Sequence, residues 1–165
     1  MKNHSLTSLI LLSIFAYACK EDATTATNEE LEYLIFGRFA GECQGDQCIE
    51  IYKLEINKLY EAEDIYPTSS SQNNSFPYQA DFTEIDNPSS AAFLELISNL
   101  PLKLFNEKEH DIGCPDCADQ GGYFIEAGFK SSHFNWRIDA DRSAIPAYLS
   151  PYMDLLDEKI LLLRK

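Results

Sequence analysis

The feature that most constrains this chain lies at its start. Lys2 and His4 give a short basic or polar opening, and Leu6 to Ala16 then forms an apolar run about as long as the hydrophobic region of an export signal. Such a run is too short to span a bilayer alone. Ala16 and Ala18 place small side chains three and one residues before Cys19, which suits the small pockets of a leader peptidase. Residues 1–18 are therefore expected to be a signal peptide, so the fold must come from the remaining 147 residues. That length suits a single domain able to bury a core without help from disulfides.

The same bond would be cut in a plain secretory leader, and Cys19 takes the reading further. The segment Ala16-Tyr17-Ala18-Cys19 resembles a bacterial lipobox. The resemblance implies diacylglycerol on the Cys19 sulfur and a membrane anchor. Lys20-Glu21-Asp22 is similar to the surface-export signal of Bacteroidota lipoproteins, a lysine followed by two acids. It implies an outer-membrane location with display on the cell surface. Cysteine parity supports lipidation. There are five cysteines, Cys19, Cys43, Cys48, Cys114 and Cys117, and an odd number in an exported chain leaves one thiol over unless it is modified. Residues 19–30, with the Thr-rich stretch Ala23 to Asn28, read as a flexible tether, and residues 31–165 as a single domain.

The formal charge is −14, and losing Lys2 with the leader takes it to −15. A field of that sign repels phosphate backbones and anionic lipid headgroups. Nucleic acid is thus an unsuitable partner, and attachment to a membrane would have to come from the lipid.

Within the domain, Tyr33 to Ala40 is apolar and aromatic enough for a strand. Cys48 to Ile56 alternates, but its phase slips at Ile51-Tyr52, which predicts a bulge or an exposed tyrosine. Asn57-Lys58 reads as a tight turn into a short strand, Leu59 to Ala62. Thr68 to Ser75, flanked by Pro67 and Pro77, reads as a long loop. Asn87-Pro88-Ser89-Ser90 signals a helix start, Phe93, Leu96, Ile97 and Leu100 recur at helical spacing, and Pro101 should end that helix. Tyr123 to Phe129 and His133 to Asp139 read as a hairpin around Lys130-Ser131-Ser132. Phe134, Trp136 and Ile138 lie on one face of it, and His133, Asn135, Arg137 and Asp139 on the other. Leu149, Met153, Leu156, Ile160 and Leu163 form one helical stripe, with Pro146 in its first turn. The expected fold is α+β: an antiparallel sheet of about five strands in hairpins, with two helices packed on one face.

The pattern Cys43, Cys48, Tyr52, Leu54, Ile56, followed by a helix, a hairpin and a terminal helix, resembles small lipoprotein domains of Bacteroidota. The resemblance supports this fold and implies no activity.

Two segments could carry chemistry, Gly41 to Cys48 and His110 to Gly122. Outside the cytoplasm the first expectation for Cys43, Cys48, Cys114 and Cys117 is disulfides. Four cysteines allow three pairings, of which the local one, Cys43–Cys48 with Cys114–Cys117, is preferred. A crossed pairing would close far longer loops. A second reading takes Cys114-Pro115-Asp116-Cys117 as the C-x-x-C site of a thiol-disulfide oxidoreductase. Such a site needs a depressed thiol pKa, usually at a helix N-terminus. Here Gly121-Gly122 leads straight into a strand, and Asp111, Asp116 and Asp119 would raise a thiol pKa. A third reading gathers the four cysteines into a structural zinc site, closed to substrate. The aspartates with Gly113, Gly121 and Gly122 also suggest oxygen ligands for Ca²⁺, but their spacing fits no EF-hand and the same residues build ordinary tight loops.

His110 and His133 form no recognisable catalytic set, and no nucleophile elbow, P-loop or H-E-x-x-H motif occurs. Trp136 could stack on a sugar, although an alternating apolar face places such a residue in a core. The sequence therefore predicts a lipid-anchored, non-enzymatic binding or accessory module for a protein or small ligand, without a cofactor.

Overall fold

The computed structural model describes residues 30–40, 48–67, 78–85 and 90–164. They form a mixed α/β fold built on one mostly antiparallel sheet. The strands are β1 (Leu31–Phe39), β2 (Ile49–Glu55), β3 (Lys58–Pro67), β4 (Tyr78–Glu84), β5 (Asp111–Ile112), β6 (Gly122–Phe129) and β7 (His133–Asp139). Their order across the sheet is β4-β3-β2-β1-β6-β7-β5, and only the β5/β7 pair is parallel. The α-helices among the described residues are α1 (Leu94–Ser98) and α2 (Ser150–Leu163). No described helix is long and apolar enough to cross a membrane.

The sheet has seven strands where the sequence suggests about five. The two extra strands are its edges. β4 reads Tyr-Gln-Ala-Asp-Phe-Thr-Glu, too polar to announce itself, and β5 has two residues. An edge needs no apolar run, because one side of it pairs with nothing. β3 is also longer than expected, ten residues rather than the four of Leu59 to Ala62.

Central position explains the phase slip in β2. Ile51 and Tyr52 are both buried, and each joins a different apolar cluster on a different face of the sheet. The β1/β2 register runs unbroken from Tyr33↔Glu55 to Phe39↔Ile49. Neither the expected bulge nor the exposed tyrosine is present. A strand covered on both faces simply has no polar phase to keep. Leu34, Ile35 and Phe36 of β1 are buried in succession for the same reason.

The larger cluster joins one sheet face to the helices. Leu34, Phe36, Leu54, Ile125, Trp136 and Ile138 meet Phe93 and Leu96, together with Leu149, Met153, Leu156, Ile160 and Leu163 of the expected terminal stripe. That stripe is buried along its whole length. Pro146 lies before α2, where its carbonyl accepts the Leu149 N–H at 2.9 Å, and Pro151 occupies the first helical turn instead. Leu94–Ser98 is shorter than the periodicity predicts. It is preceded by a 3₁₀ turn, Ser90–Phe93, and followed after Pro101 by another, Leu102–Asn106. The start signal Asn87-Pro88-Ser89 and the loop Thr68 to Ser75 lie outside the described residues.

The opposite face carries a smaller cluster of Ile35, Phe39, Ile51 and Phe124, to which no described helix contributes. The β6/β7 hairpin places its side chains as expected: Trp136 and Ile138 enter the larger cluster, while Asn135 and Asp139 lie on the other face, both buried.

Candidate functional site

Sheet order brings the cysteine segments to one end of the molecule. Phe39, the last residue of β1, pairs with Ile49 on one side and Gly122 on the other, and Gly122 pairs with Asp139. Cys48 directly precedes β2, and its carbonyl accepts the Ala40 N–H at 2.9 Å. The Cys114–Cys117 loop runs into β6, on the other side of β1. Cys114 and Cys117 are joined by a disulfide with a Cα–Cα distance of 5.5 Å, the local pairing preferred from sequence. Cys48 is also disulfide-bonded. Cys43 and Cys19 lie outside the described residues, as do the leader and tether.

The loop is organised by a residue that the sequence marks only as part of the hairpin. Asp139 ends β7 and is 2% exposed. Its Oδ2 accepts the Cys114 N–H at 2.8 Å. Its Oδ1 accepts the Gln120 amide at 2.9 Å and the Asp141 N–H at 2.8 Å. Burial alone would raise its pKa. The donors at Asp141, Cys114 and Gln120 outweigh that and hold the carboxyl below its ordinary range. Three donors would otherwise have to be desolvated without a partner.

The backbone follows from this anchor. Gly113 has φ +78°, and a Cβ there would stand 2.7 Å from Asp139 Cβ. Gly121 has φ +71°, and a Cβ there would stand 2.1 Å from the Phe39 carbonyl oxygen. Asp116 and Asp119 also adopt positive φ, a conformation Asp tolerates better than most residues. Asp116 closes the loop twice, donating its N–H to the Gly121 carbonyl at 3.0 Å and accepting the Gly121 N–H on Oδ1 at 3.0 Å. Asp116 is thus occupied in holding the turn. After Cys117 the chain continues as a turn and enters β6, so no helix N-terminus faces the sulfurs. Joined to one another, Cys114 and Cys117 offer no thiolate to a metal. Among the described residues no group of three or more His, Cys, Asp or Glu side chains is arranged to hold an ion.

A second polar cluster at this end was not foreseen. Tyr123, just inside β6, is nearly buried, with the Arg38 and Arg142 guanidinium carbons 5.2 and 4.9 Å from its ring centroid. Its hydroxyl donates to Asp157 of α2 at 2.8 Å. Arg142 donates to the Tyr123 oxygen at 3.1 Å and to Asp157 at 2.9 Å, and Arg38 stands 3.5 Å from Asp157. Burial, then the Asp157 hydrogen bond, raises the Tyr123 pKa. Arg164 forks onto Glu50 nearby. Three of the chain's four arginines, spread over 127 positions of sequence, therefore tie α2 and the loop after β7 to the sheet. Only the folded pairing brings them together, and no local sequence signal could have done so.

The remaining candidates are placed elsewhere. His110 approaches the Asn135 carbonyl oxygen through Nδ1 at 2.9 Å, and His133 is exposed at the start of β7. Trp136 is 3% exposed and packs edge-on against Phe105, which makes it core and no sugar platform. Compared with protein-family models, with curated proteins and with solved structures, the chain finds no match.

Proposed function

We propose that this chain is an exported lipoprotein, anchored by lipid on Cys19, that presents residues 31–165 as a non-enzymatic binding or accessory module. Cysteine accounting carries the reading. Cys114 and Cys117 satisfy one another and Cys48 is disulfide-bonded. A partner for Cys48 at Cys43 leaves Cys19 as the odd sulfur, and acylation uses it. The distance available fits an anchor as well. Strand β1 begins at Leu31, so residues 20–30 connect lipid to domain, with an extended reach of about 36 Å. Lys20-Glu21-Asp22, as a surface-export signal, would direct the module to the outer face of the outer membrane. The acids and amides of the cysteine loop bond to one another, which holds the loop in one shape for presentation to a partner.

The test is metabolic labelling of the full-length chain in a Gram-negative host with an alkyne-tagged fatty acid. The wild type is expected to carry label and to fractionate with membranes, and Cys19→Ser to lose both. Label that persists in Cys19→Ser, or a wild type released in soluble form, would overturn the proposal. Protease treatment of intact cells then reports on surface display.

A further inference from the structure

The Cys114–Cys117 disulfide differs from a buried brace in two respects, and together they suggest chemistry. Both cysteines are exposed. The loop around them is also closed without the sulfurs. Asp139 holds Cys114 and Gln120 from one side, and Asp116 and Gly121 bond reciprocally across the loop. The Cys117 N–H also donates to the Cys114 carbonyl at 3.2 Å. None of these bonds involves a sulfur atom. Breaking the S–S bond therefore leaves the two cysteines held near the same 5.5 Å Cα separation, ready to close again.

We propose that Cys114–Cys117 is a thiol-exchange site that accepts electrons from neutral or cationic thiols and discriminates against anionic ones. A thiolate attacks one of the two sulfurs, the S–S bond breaks, and the other cysteine leaves as a thiolate that takes a proton from water. A second thiolate then attacks the donor sulfur of the mixed disulfide. The external disulfide departs, and the second cysteine is protonated. Two thiols lose two electrons and two protons, and the protein disulfide gains both.

The selectivity comes from the local field. Asp116 lies between the cysteines, Asp119 two residues beyond, and Asp139 directly beneath the Cys114 amide. No lysine or arginine occurs between Lys108 and Lys130. Arg137 and Arg142, on the adjoining strand and loop, are engaged by Asp111 and Asp157. Among the described residues an anionic thiol therefore approaches a locally acidic loop, whereas a cationic thiol is drawn in.

The experiment uses the mature protein, oxidised, with cysteamine and 3-mercaptopropionate as probes. Reduction is followed by differential alkylation and peptide mass, and rates are compared per unit of thiolate. Cysteamine is expected to reduce Cys114–Cys117 about tenfold faster at low salt, the gap narrowing as salt is added. Near-UV circular dichroism should stay native throughout. The double variant Asp116→Asn/Asp119→Asn keeps side chains that tolerate positive φ and should bring the two rates together. Equal rates in the wild type, or reduction that proceeds only as the native spectrum is lost, would overturn the proposal and make the disulfide a structural brace.

Discussion

Asp139 and Glu126 are two buried acids on neighbouring strands of one sheet face, and they have opposite fates. Asp139 is 2% exposed and Glu126 5%. Asp139 receives three donors, two of them backbone amides, and its pKa is lowered. Glu126 receives one, the Tyr33 hydroxyl at 2.9 Å on Oε1, while its Oε2 has no hydrogen-bond partner. Burial dominates there and raises the pKa against the pull of Tyr33 and His133. Burial is shared, so the supply of donors decides the direction of the shift. A loop can deliver several amides to one carboxylate, whereas the amides of a central strand are already committed to its neighbours.

The comparison can be broken most forcefully at Asp139. Asp139→Ala should cost about 3 kcal/mol or more in denaturant unfolding, because three donors lose their acceptor at once. Acid should do the same gradually in the wild type. The folded carboxyl has a lower pKa than the unfolded value near 3.8, so folding releases a proton. Its stabilisation is complete above the unfolded value and disappears as pH falls through the folded one. An unfolding series from pH 5 to pH 2 should show that slope, and Asp139→Asn should lack it.

Removing the disulfide should matter less. Cys114→Ser/Cys117→Ser opens a ring so short that the chain-entropy model allows about 2 kcal/mol. A larger loss than that of Asp139→Ala would mean that sulfur, rather than the carboxylate, holds the loop.

Glu126 should give the smallest effect, with the opposite sign. Its folded pKa lies above the ordinary 4.5, so the native state keeps a proton that the unfolded chain releases. Stability should fall as pH rises from the unfolded value to the folded one. Glu126→Gln removes the ionisable group, should flatten that slope, and should gain about 1 kcal/mol at neutral pH. A neutral or destabilising result would show that Oε2 does find a donor in solution.

The sequence disclosed what repeats locally. The stripe from Leu149 to Leu163 and the hairpin about Lys130-Ser131-Ser132 are legible because period and spacing define them, whereas the local cysteine pair is a preference among three pairings. The edge strands escaped notice because an edge carries little apolar pattern. Asp139 escaped because its partners arrive from 25 and 19 residues earlier and meet it only once β6 lies between β1 and β7. The slip at Ile51-Tyr52 was visible but misread, since a single strand does not reveal that both its faces are covered.

Strand β1 stands in the middle of the sheet, with β2 on one side and β6 on the other, and it is the first strand among the described residues. A pull on the N-terminus along β1 therefore reaches two antiparallel ladders together. Their hydrogen bonds run across the strands, so such a load shears many at once and does not open them one after another. Attachment through an edge strand would peel under the same force. A load along this strand is therefore shared between the two ladders.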